Sequence, residues 1–442
     1  MGYRVHRYPS EPLESLKKAQ ELRLKYFQSY AEPDRLRWTG CASTPDSVPA
    51  GLGEDVIHLG GEPYGASIAL DHDLAVRCQE AVEARGWSRD LCAYFRNYLG
   101  SMYLDEYRFG GPFPRIDFCF SIHICCTHGK WYQAVAEYQK KPYFCFDFGV
   151  GQADALNDNK VDFVVAQLHE AIEGMAKATG REYRDDLLIE AVKNDFRMSS
   201  TWAEICALNK HIPAPLDEDT MRGIYVLYTL DKSRKEFADL YDEVRDEIKD
   251  RVARGIAALP EERCRLLTDN VHPYHFTSRL FRYLASFGAV SVGNPYMFGL
   301  AGVWEDQPDG SWGPARTPME KGINIDTRDQ ALRLMVEWNL RKPVWEQFYD
   351  PQLRTEMLSR IAKEWRLNGV ILHYNRGCEG LSLGIPETRL GLMGAGIPVM
   401  TYEGNMADER EFDETRTLAR IDSFMAMLGL SQDSQDRAAN AV

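Results

Sequence analysis

A cysteine in a glycine-rich loop is the residue of this chain best placed for chemistry. Residues 373–380 (HYNRGCEG) follow an apolar run at 369–372 (GVIL) and precede a helical pattern that ends at 396–398 (GIP). This order predicts a strand, a polar loop, a helix and a further strand. In α/β units of this kind, ligands gather outside the carboxyl ends of the strands. The pattern therefore predicts that Cys378 serves chemistry rather than packing.

Further cysteines occupy the ends of predicted elements. Cys92 falls in the first turn of a helix that we predict to begin around Ser88 or Asp90, and a helix N-terminus stabilises a thiolate. Cys125 and Cys126 follow a predicted buried strand, and at most one of this adjacent pair is expected to bind a given metal centre. The alternative for all of them is burial as a small hydrophobe, the usual fate of a free cysteine.

The other cysteines favour packing over chemistry. No two of the ten cysteines form a C-x-x-C pair, which disfavours zinc ribbons, thioredoxin-like dithiols and ferredoxin-type runs. A metal site must therefore be assembled from cysteines that are far apart in the chain. We predict core packing for Cys119 and Cys145 in apolar strands and for Cys78 and Cys206 in helices, with packing as the default for Cys41 and Cys264.

Three thiolates from distant segments suit a [4Fe–4S] cluster in which one iron stays open. Soft thiolate ligands select iron–sulfur chemistry, and an open coordination position distinguishes a reactive metal site from a closed structural one. A mononuclear zinc site with three cysteines and a water is the chemical rival. The spacing of the cysteines does not separate the two.

Polar residues near Cys378 are candidates for moving protons. His373, Glu379, Glu403 and Asp408 lie close to it in sequence, although a backbone carbonyl is an equally good partner for His373. The acidic tract that begins at Asp408 is interpreted as a solvated helix start. Neither G-x-x-x-x-G-K-[ST] nor G-x-G-x-x-G occurs, so the chain shows no sign of hydrolysing ATP or of binding NAD through a Rossmann fingerprint.

The elements that must position these residues form an α/β pattern with a helical middle. Apolar runs and helical spacing predict the following elements: a helix at 10–30 capped by Ser10, a loop at 38–51, a helix from about 88 to 102, strands at 116–124 and 142–148 around a helix at 130–140, a strand at 265–267, a helix at 277–287, a strand at 289–292, a strand at 369–374 and a helix at 416–428. We predict an N-terminal helical segment at 1–37, a first α/β domain at 38–154, a helical linker domain at 155–260 and a second α/β domain at 261–442.

The two α/β halves repeat one arrangement, with a cysteine just past a strand in each. This predicts two similar domains that face each other across a cleft. The net charge of −14 disfavours nucleic acid and anionic membranes as partners. The charged start of the chain shows no signal peptide, and no apolar run reaches the roughly 18 residues that a spanning helix needs. We therefore predict a cytoplasmic protein.

Several segments together resemble the benzoyl-CoA reductase / 2-hydroxyacyl-CoA dehydratase family, most closely the larger of the two homologous, cluster-bearing subunits of ATP-dependent benzoyl-CoA reductase. The similar segments are LCAYFRNYLG (91–100), CCTHGKWYQAVAEYQKKPYFCFDF (125–148), HYNRGCEGLSLG (373–384), GIPVMTYEGNMADEREFD (396–413) and RTLARIDSFMAMLG (416–429). They touch both α/β halves and leave the helical middle weakly matched.

The resemblance implies a fold and a set of ligands. The fold is two flavodoxin-like or Rossmann-like domains with a [4Fe–4S] cluster between them. The family's three ligand cysteines fall on Cys92, Cys125 and Cys378, which decides between Cys125 and Cys126. A shifted and substituted match places an acidic family residue on Asp55, a weak catalytic candidate beside His373 and Glu379.

The reaction implied by the resemblance is the two-electron dearomatisation of benzoyl-CoA to a cyclic diene thioester. Its implied partners are a homologous second cluster-bearing subunit, ATP-hydrolysing activator subunits and ferredoxin as electron donor, in a cytoplasmic hetero-oligomer. One alternative is a 2-hydroxyacyl-CoA dehydratase subunit, a lyase that uses the same cluster and a ketyl radical without net reduction. A second is a non-catalytic subunit whose cluster relays electrons or completes the cleft wall.

Overall fold

The computed structural model describes residues 6–148 and 157–432. The helices are α1 (Glu14–Tyr30), α2 (Ser47–Ala50), α3 (Gly61–Ala69), α4 (His72–Glu83), α5 (Ala93–Leu104), α6 (Cys126–Gln139), α7 (Asp158–Thr179), α8 (Asp185–Leu208), α9 (Glu218–Asp231), α10 (Lys235–Arg254), α11 (Tyr274–Ala285), α12 (Pro295–Ala301), α13 (Arg328–Leu340), α14 (Val344–Tyr349), α15 (Pro351–Glu364), α16 (Glu379–Ser382), α17 (Ile385–Gly394) and α18 (Glu414–Met427), with a 3-10 helix at Glu409–Glu411. The strands are β1 (Leu36–Gly40), β2 (Val56–Gly60), β3 (Phe118–Ile122), β4 (Tyr143–Phe146), β5 (Cys264–Asp269), β6 (Ala289–Ser291), β7 (Trp304–Asp306), β8 (Trp312–Pro314), β9 (Gly369–Asn375) and β10 (Val399–Gly404).

Two parallel sheets with the same strand order organise the described chain. The first sheet has the order β2-β1-β3-β4 and the second has the order β10-β9-β5-β6, while β7 and β8 form a separate antiparallel pair. If the strands of each sheet are numbered in chain order, both sheets have the order 2-1-3-4, because the second sheet reads β6-β5-β9-β10 from its other edge. All four strands of each sheet run parallel. The α/β class with parallel sheets is therefore confirmed, and the repeat seen in the sequence extends to two four-stranded sheets.

The register of the strands brings the ends of distant segments to one edge of each sheet. In the first sheet β1 pairs with β2 and with β3, so Gly40, Gly60 and Ile122 close the carboxyl ends of neighbouring strands. In the second sheet β9 lies between β5 and β10 and ends at Asn375. Chain segments that follow these strands are thereby collected at the carboxyl edges, where α/β folds place their ligands.

The loop predicted at 38–51 is wrong in its first part, because β1 runs to Gly40, and α2 occupies 47–50. The β1 sequence LRWTG lacks a clear apolar alternation, since the strand lies inside the sheet and is buried along most of its length. Strand β2 follows closely and was also not predicted. As a result, no pattern in the sequence pointed to the residues after these two strands.

Helix starts differ from the predictions in ways that matter for the cysteines. Helix α1 begins after Leu13 and has no side-chain cap, while the Ser10 hydroxyl donates to the carbonyl of Ala258 at 3.4 Å, so the Ser10 cap is wrong. Helix α5 begins at Ala93 rather than near 88, and α6 begins at Cys126 rather than at 130. Cys92 and Cys125 are consequently the N-cap residues of these helices.

The middle of the chain is helical over its described part, where α7 to α10 run from Asp158 to Arg254 with no strand among them. These helices pack with both sheets in one shared apolar core, and the Trp202 indole of α8 donates to the carbonyl of Met297 in α12 at 3.0 Å.

The domain boundary predicted between residues 154 and 155 lies outside the described residues, as does the start of the predicted N-terminal segment. Over 6–148 and 157–432, none of the helices is both long enough and apolar enough to cross a bilayer.

Candidate metal centre

Each of the three cysteines predicted as ligands stands at the N-cap of a helix. Cys92 precedes α5, Cys125 precedes α6 and Cys378 precedes the short helix α16. The first turn of a helix carries backbone N–H groups without helical partners, and these favour an anion. The N–H groups of Phe95 and Leu381 accordingly act to lower the pKa of Cys92 and Cys378, against the larger effect of burial.

The three cysteines are brought together although they are remote in the chain. Cys92 and Cys125 each act electrostatically to raise the pKa of Cys378, and Cys125 does the same to Cys92. The loops are also in contact, because a Cβ placed on Gly377 would lie 3.1 Å from the backbone oxygens of both Asp90 and Leu91. The loop of Cys378 after β9 therefore lies against the segment that leads to Cys92, and the three thiols are close enough to influence one another.

The electrostatics of the three thiols fit a cationic centre. Burial raises the pKa of Cys92 to about 11 and that of Cys378 to about 12, so neither thiol ionises by itself near neutral pH. Burial also opposes ionisation of Cys125, but the adjacent His128 outweighs it and lowers the pKa of that thiol. A metal centre reverses the cost of burying thiolates, since a coordinated thiol is deprotonated outright. Three soft donors and three helix N-termini suit an iron–sulfur cluster.

The close approach at Gly377 gives a testable requirement for this arrangement. Gly377 has a φ of +75°, and an added Cβ would press on the segment that carries Cys92. Gly396 has a nearly equal φ of +77°, with nothing within 4 Å of an added Cβ. We expect Gly377→Ala to lower the free energy of unfolding by about 2 kcal/mol and Gly396→Ala by about 1 kcal/mol, measured by urea unfolding.

The two alanine variants share the backbone strain of a positive φ, so their difference reports the contact between the loops. Equal losses would contradict the contact at Gly377. The Gly377→Ala protein is further expected to purify with less metal than Gly396→Ala, because the Cys378 loop has to move away from Cys92.

A second group of donors borders the thiols at the edge of the first sheet. Cys41 follows β1, Glu62 lies in the first turn of α3 after β2, and His128 lies in the first turn of α6. One ligand atom from each lies within 4.8 Å of the others, a spacing that could hold a metal ion. In the structure His128 Nε2 is 2.9 Å from Glu62 Oε1, and His128 Nδ1 is 3.4 Å from the Cys125 sulfur.

Tyrosines from both halves lie at the junction, with Tyr94 buried and Tyr274 and Tyr296 partly buried. The Tyr94 hydroxyl of α5 donates to the Tyr274 hydroxyl of α11 at 2.9 Å, which links a helix of the first half to one of the second. Burial, with added repulsion from Glu62 and Cys378, raises the pKa of Tyr296 well above its ordinary value. Burial also raises the pKa of Tyr94 and Tyr274, so all three phenols stay protonated, and the Tyr94 proton is donated to Tyr274. None of them was predicted, because a tyrosine inside a helical pattern gives no signal of its own.

The weak catalytic candidates have other surroundings. Glu379 is the first residue of α16 and is exposed. Both carboxylate oxygens of Asp55 accept from Arg181 at 2.6 Å, and Asp55 precedes β2, at the sheet edge opposite the thiols. His373 is fully buried in β9 and its Nδ1–H donates to the carbonyl of Val271 at 2.7 Å. The geometry supports no catalytic role for Asp55 and favours the structural interpretation of His373.

The burial of His373 predicts a pH dependence of stability. Burial lowers the pKa of His373 to about 3, whereas the imidazole of an unfolded chain titrates near its ordinary value of about 6.5. Below about pH 6.5 the unfolded state binds a proton that the folded state refuses, so this contribution to stability is present at higher pH and is lost as the pH falls. Between about pH 7 and pH 5 we expect the wild type to lose about 2 kcal/mol more than His373→Gln, measured by urea unfolding at both pH values. Parallel pH profiles would contradict it.

Two predictions about individual side chains are wrong. Asp408, expected in a solvated helix start, is fully buried and accepts from Arg96 at 2.9 Å and from Arg410 at 2.8 Å. Cys145, expected in the core, is exposed because β4 is the edge strand of its sheet. Core packing is confirmed for the remaining five cysteines, which are buried: Cys41, Cys78, Cys119, Cys206 and Cys264.

A sequence profile of the family described as 2-hydroxyglutaryl-CoA dehydratase, D-component, matches residues 60–428 of the chain. The matched range contains Cys92, Cys125 and Cys378, and it also contains Glu62 and His128. Cys41 precedes it.

Curated proteins similar to this chain are alpha subunits of dehydratases that act on CoA thioesters. The (R)-phenyllactyl-CoA dehydratase alpha subunit of Clostridium sporogenes is 21% identical over 406 residues, which cover 91% of each chain. The (R)-2-hydroxyisocaproyl-CoA dehydratase alpha subunit of Clostridioides difficile is 22% identical over 375 residues, 83% of this chain and 84% of that subunit. The (R)-2-hydroxyglutaryl-CoA dehydratase subunit alpha of Acidaminococcus fermentans is 21% identical over 328 residues, 74% of this chain and 63% of that subunit.

Proposed function

Because the chain belongs to the 2-hydroxyglutaryl-CoA dehydratase D-component family, we propose that it is the cluster-bearing subunit of a 2-hydroxyacyl-CoA dehydratase. The observation that carries this proposal is the family match over 60–428, together with relatives whose names are dehydratase alpha subunits. The expectation that the chain is the larger cluster-bearing subunit of a benzoyl-CoA reductase finds no support in these similarities. The class of enzyme we propose is therefore a lyase rather than an oxidoreductase acting on an aromatic ring.

The proposed cofactor is a [4Fe–4S] cluster held by Cys92, Cys125 and Cys378. The convergence of three helix N-caps and their thiols supports this assignment. When bound, such a cluster would supply one-electron reduction and an iron position open to a ligand. Three cysteines leave that iron without a protein ligand, which suits reactive rather than structural metal sites.

The proposed reaction removes water from a 2-hydroxyacyl-CoA thioester and forms a 2-enoyl-CoA. The C–O bond at carbon 2 and a C–H bond at carbon 3 break, a C=C bond forms, and no net electrons are consumed. The proton on carbon 3 of such a thioester is only weakly acidic. An electron that is added to the substrate and recovered at the end of each cycle would make this proton easier to remove.

The residues of the chain supply a protected polar junction for this reaction. The hydroxyls of Tyr274 and Tyr296 stay protonated, and we propose that they face the thioester, while the Tyr94 hydroxyl donates to Tyr274. We propose that these side chains limit the access of water to the thiols, which would protect a low-potential centre from losing electrons to solvent. Glu62 and His128 lie largely buried beside the Cys125 thiol.

The proposed partners are a second, homologous subunit and an activator that couples ATP hydrolysis to electron delivery from ferredoxin. The relatives are named as alpha subunits, which supports at least one further subunit. The sequence itself carries no phosphate-binding loop, so ATP has to be hydrolysed elsewhere. We also propose that the two sheets belong to two separate flavodoxin-like domains, supported by the four parallel strands that each sheet contains.

The test is a product assay under anaerobic conditions with the chain, the subunits that purify with it, an activator, ATP and a reductant. We expect (R)-2-hydroxyacyl-CoA thioesters such as phenyllactyl-CoA to yield the corresponding enoyl-CoA, and benzoyl-CoA to remain unchanged. Formation of a cyclic diene thioester from benzoyl-CoA, with no enoyl-CoA from any hydroxyacyl thioester, would replace the dehydratase with a reductase.

A further inference from the structure

A largely buried imidazole connects one of the three thiols to a carboxylate. His128 Nδ1 lies 3.4 Å from the Cys125 sulfur, and His128 Nε2 lies 2.9 Å from Glu62 Oε1. The side chains of Glu62 and His128 are each only 12% exposed. A thiolate and a carboxylate both only accept hydrogen bonds, so each ring nitrogen has an acceptor in front of it. The imidazole is thus arranged to donate a proton toward Cys125.

The position of the imidazole is fixed from the side of the carboxylate. Glu62 Oε2 accepts from the backbone N–H of Ala42 at 2.9 Å and lies 3.4 Å from the Tyr132 hydroxyl. The ring of His128 also lies nearly parallel to that of Tyr132, with centroids 6.3 Å apart. A Cβ at Gly61 would overlap the Tyr132 hydroxyl, so only glycine lets α3 come close enough to α6 for Glu62 to reach His128.

This contact distinguishes Cys125 from the other two thiols. Within the described part of the chain, the sulfurs of Cys92 and Cys378 have no side-chain hydrogen-bond donor, whereas Cys125 faces His128. Hydrogen bonds to ligand sulfurs withdraw electron density from an iron–sulfur cluster and make its reduced form easier to reach. Partners that orient a ligand and tune a metal in this way commonly have measurable effects on the metal site.

We infer that His128, oriented by Glu62, is a positioning residue that donates a hydrogen bond to the Cys125 sulfur and raises the reduction potential of the iron–sulfur cluster. The inference rests on the proposed function, since it needs a cluster at Cys125. A separate metal ion bound by Cys41, Glu62 and His128 is the competing use of these side chains. In the structure both ring nitrogens of His128 are already engaged, which favours the hydrogen-bonded role.

The test measures the potential of the cluster in the anaerobically purified full chain with its accompanying subunits, by a redox titration followed by electron paramagnetic resonance. His128→Gln keeps a donor toward Glu62 but removes the one toward sulfur, while His128→Asn places an amide near the position of Nδ1. We expect the potential to become more negative in His128→Gln, to return toward the wild type in His128→Asn, and to fall by a smaller amount in Glu62→Gln. Gln133→Ala, a neutral change on the same helix α6, is the control and should leave the potential unchanged.

Iron and sulfide contents decide how each result counts. A His128→Gln protein with wild-type iron content and an unchanged reduction potential would overturn the inference. So would a His128→Gln protein that keeps its iron but loses a second metal that the wild type binds stoichiometrically. If His128→Gln does not retain iron, the reduction potential of Glu62→Gln is the deciding measurement. Loss of iron by both variants would show that the two side chains are needed for cluster assembly, and this would overturn the tuning role. A wild-type protein without iron and sulfide would instead remove the proposed function.

Discussion

Replacement of Cys125 by alanine is expected to abolish both metal binding and dehydration. A cluster held by three thiolates loses a third of its protein ligands, and the helix N-cap that remains offers no soft donor. We expect Cys125→Ala, purified without oxygen, to contain less than about a tenth of the wild-type iron and sulfide, and to form no detectable enoyl-CoA. Cys92→Ala and Cys378→Ala should behave in the same way.

The chain offers a matched control one residue away. Cys126 is exposed and begins α6, so it experiences the same helix N-terminus but lies at the protein surface. Cys126→Ala should keep wild-type iron and activity, as should Cys119→Ala in the core and Cys145→Ala at the sheet edge. A wild-type metal content in any one of the three proposed ligand variants would remove that cysteine from the site.

Loss of the buried carboxylate at Asp408 is expected to be strongly destabilising. Asp408 is fully buried and accepts from Arg96 and Arg410, while Arg96, also fully buried, donates to the carbonyl of Leu91 at 3.1 Å. The segment after β10 is thereby joined to the loop that carries Cys92. Asp408→Asn leaves the fully buried Arg96 with only the partly exposed Glu83, at 3.2 Å, as an ionic partner, so we expect it to lower the free energy of unfolding by about 3 kcal/mol.

The control for this prediction is an exposed pair of the same chemistry. Glu106 and Arg77 form a two-pronged contact at 2.8 Å, with both side chains about half exposed. Because water screens such pairs, we expect Glu106→Gln to cost less than about 1 kcal/mol in the same urea unfolding experiment. Similar losses of unfolding free energy in the two variants would show that other partners satisfy Arg96 and Arg410. The contact through Asp408 would then not stabilise the protein.

The parts of the fold that could be predicted from sequence are those whose pattern is local. The long helices α7 to α10 and the apolar strands β3, β5 and β9 follow from periodicity, and the position of Cys378 after β9 follows from them. The strands β1 and β2 could not be predicted because they are five residues long and buried without alternation. Missing them also concealed Glu62, whose importance derives from its place at the end of β2.

The geometry of the site depends on contacts that no local pattern encodes. His128 becomes notable only when α3 approaches α6 at Gly61, and Tyr274 only when α11 of the second half meets α5 of the first. The buried state of Asp408 arises in the same way, since its partner Arg96 is far away in sequence. The ligand cysteines could be proposed from the family resemblance, whereas the surrounding polar residues required the structure.

The most direct measurement of the central claim is the iron and acid-labile sulfide content of the anaerobically purified wild-type protein, with zinc determined on the same sample. A [4Fe–4S] cluster on Cys92, Cys125 and Cys378 predicts about four iron and about four sulfide per chain, and zinc well below one. A stoichiometric amount of zinc without sulfide, or a protein free of metal after strictly anaerobic preparation, would contradict it.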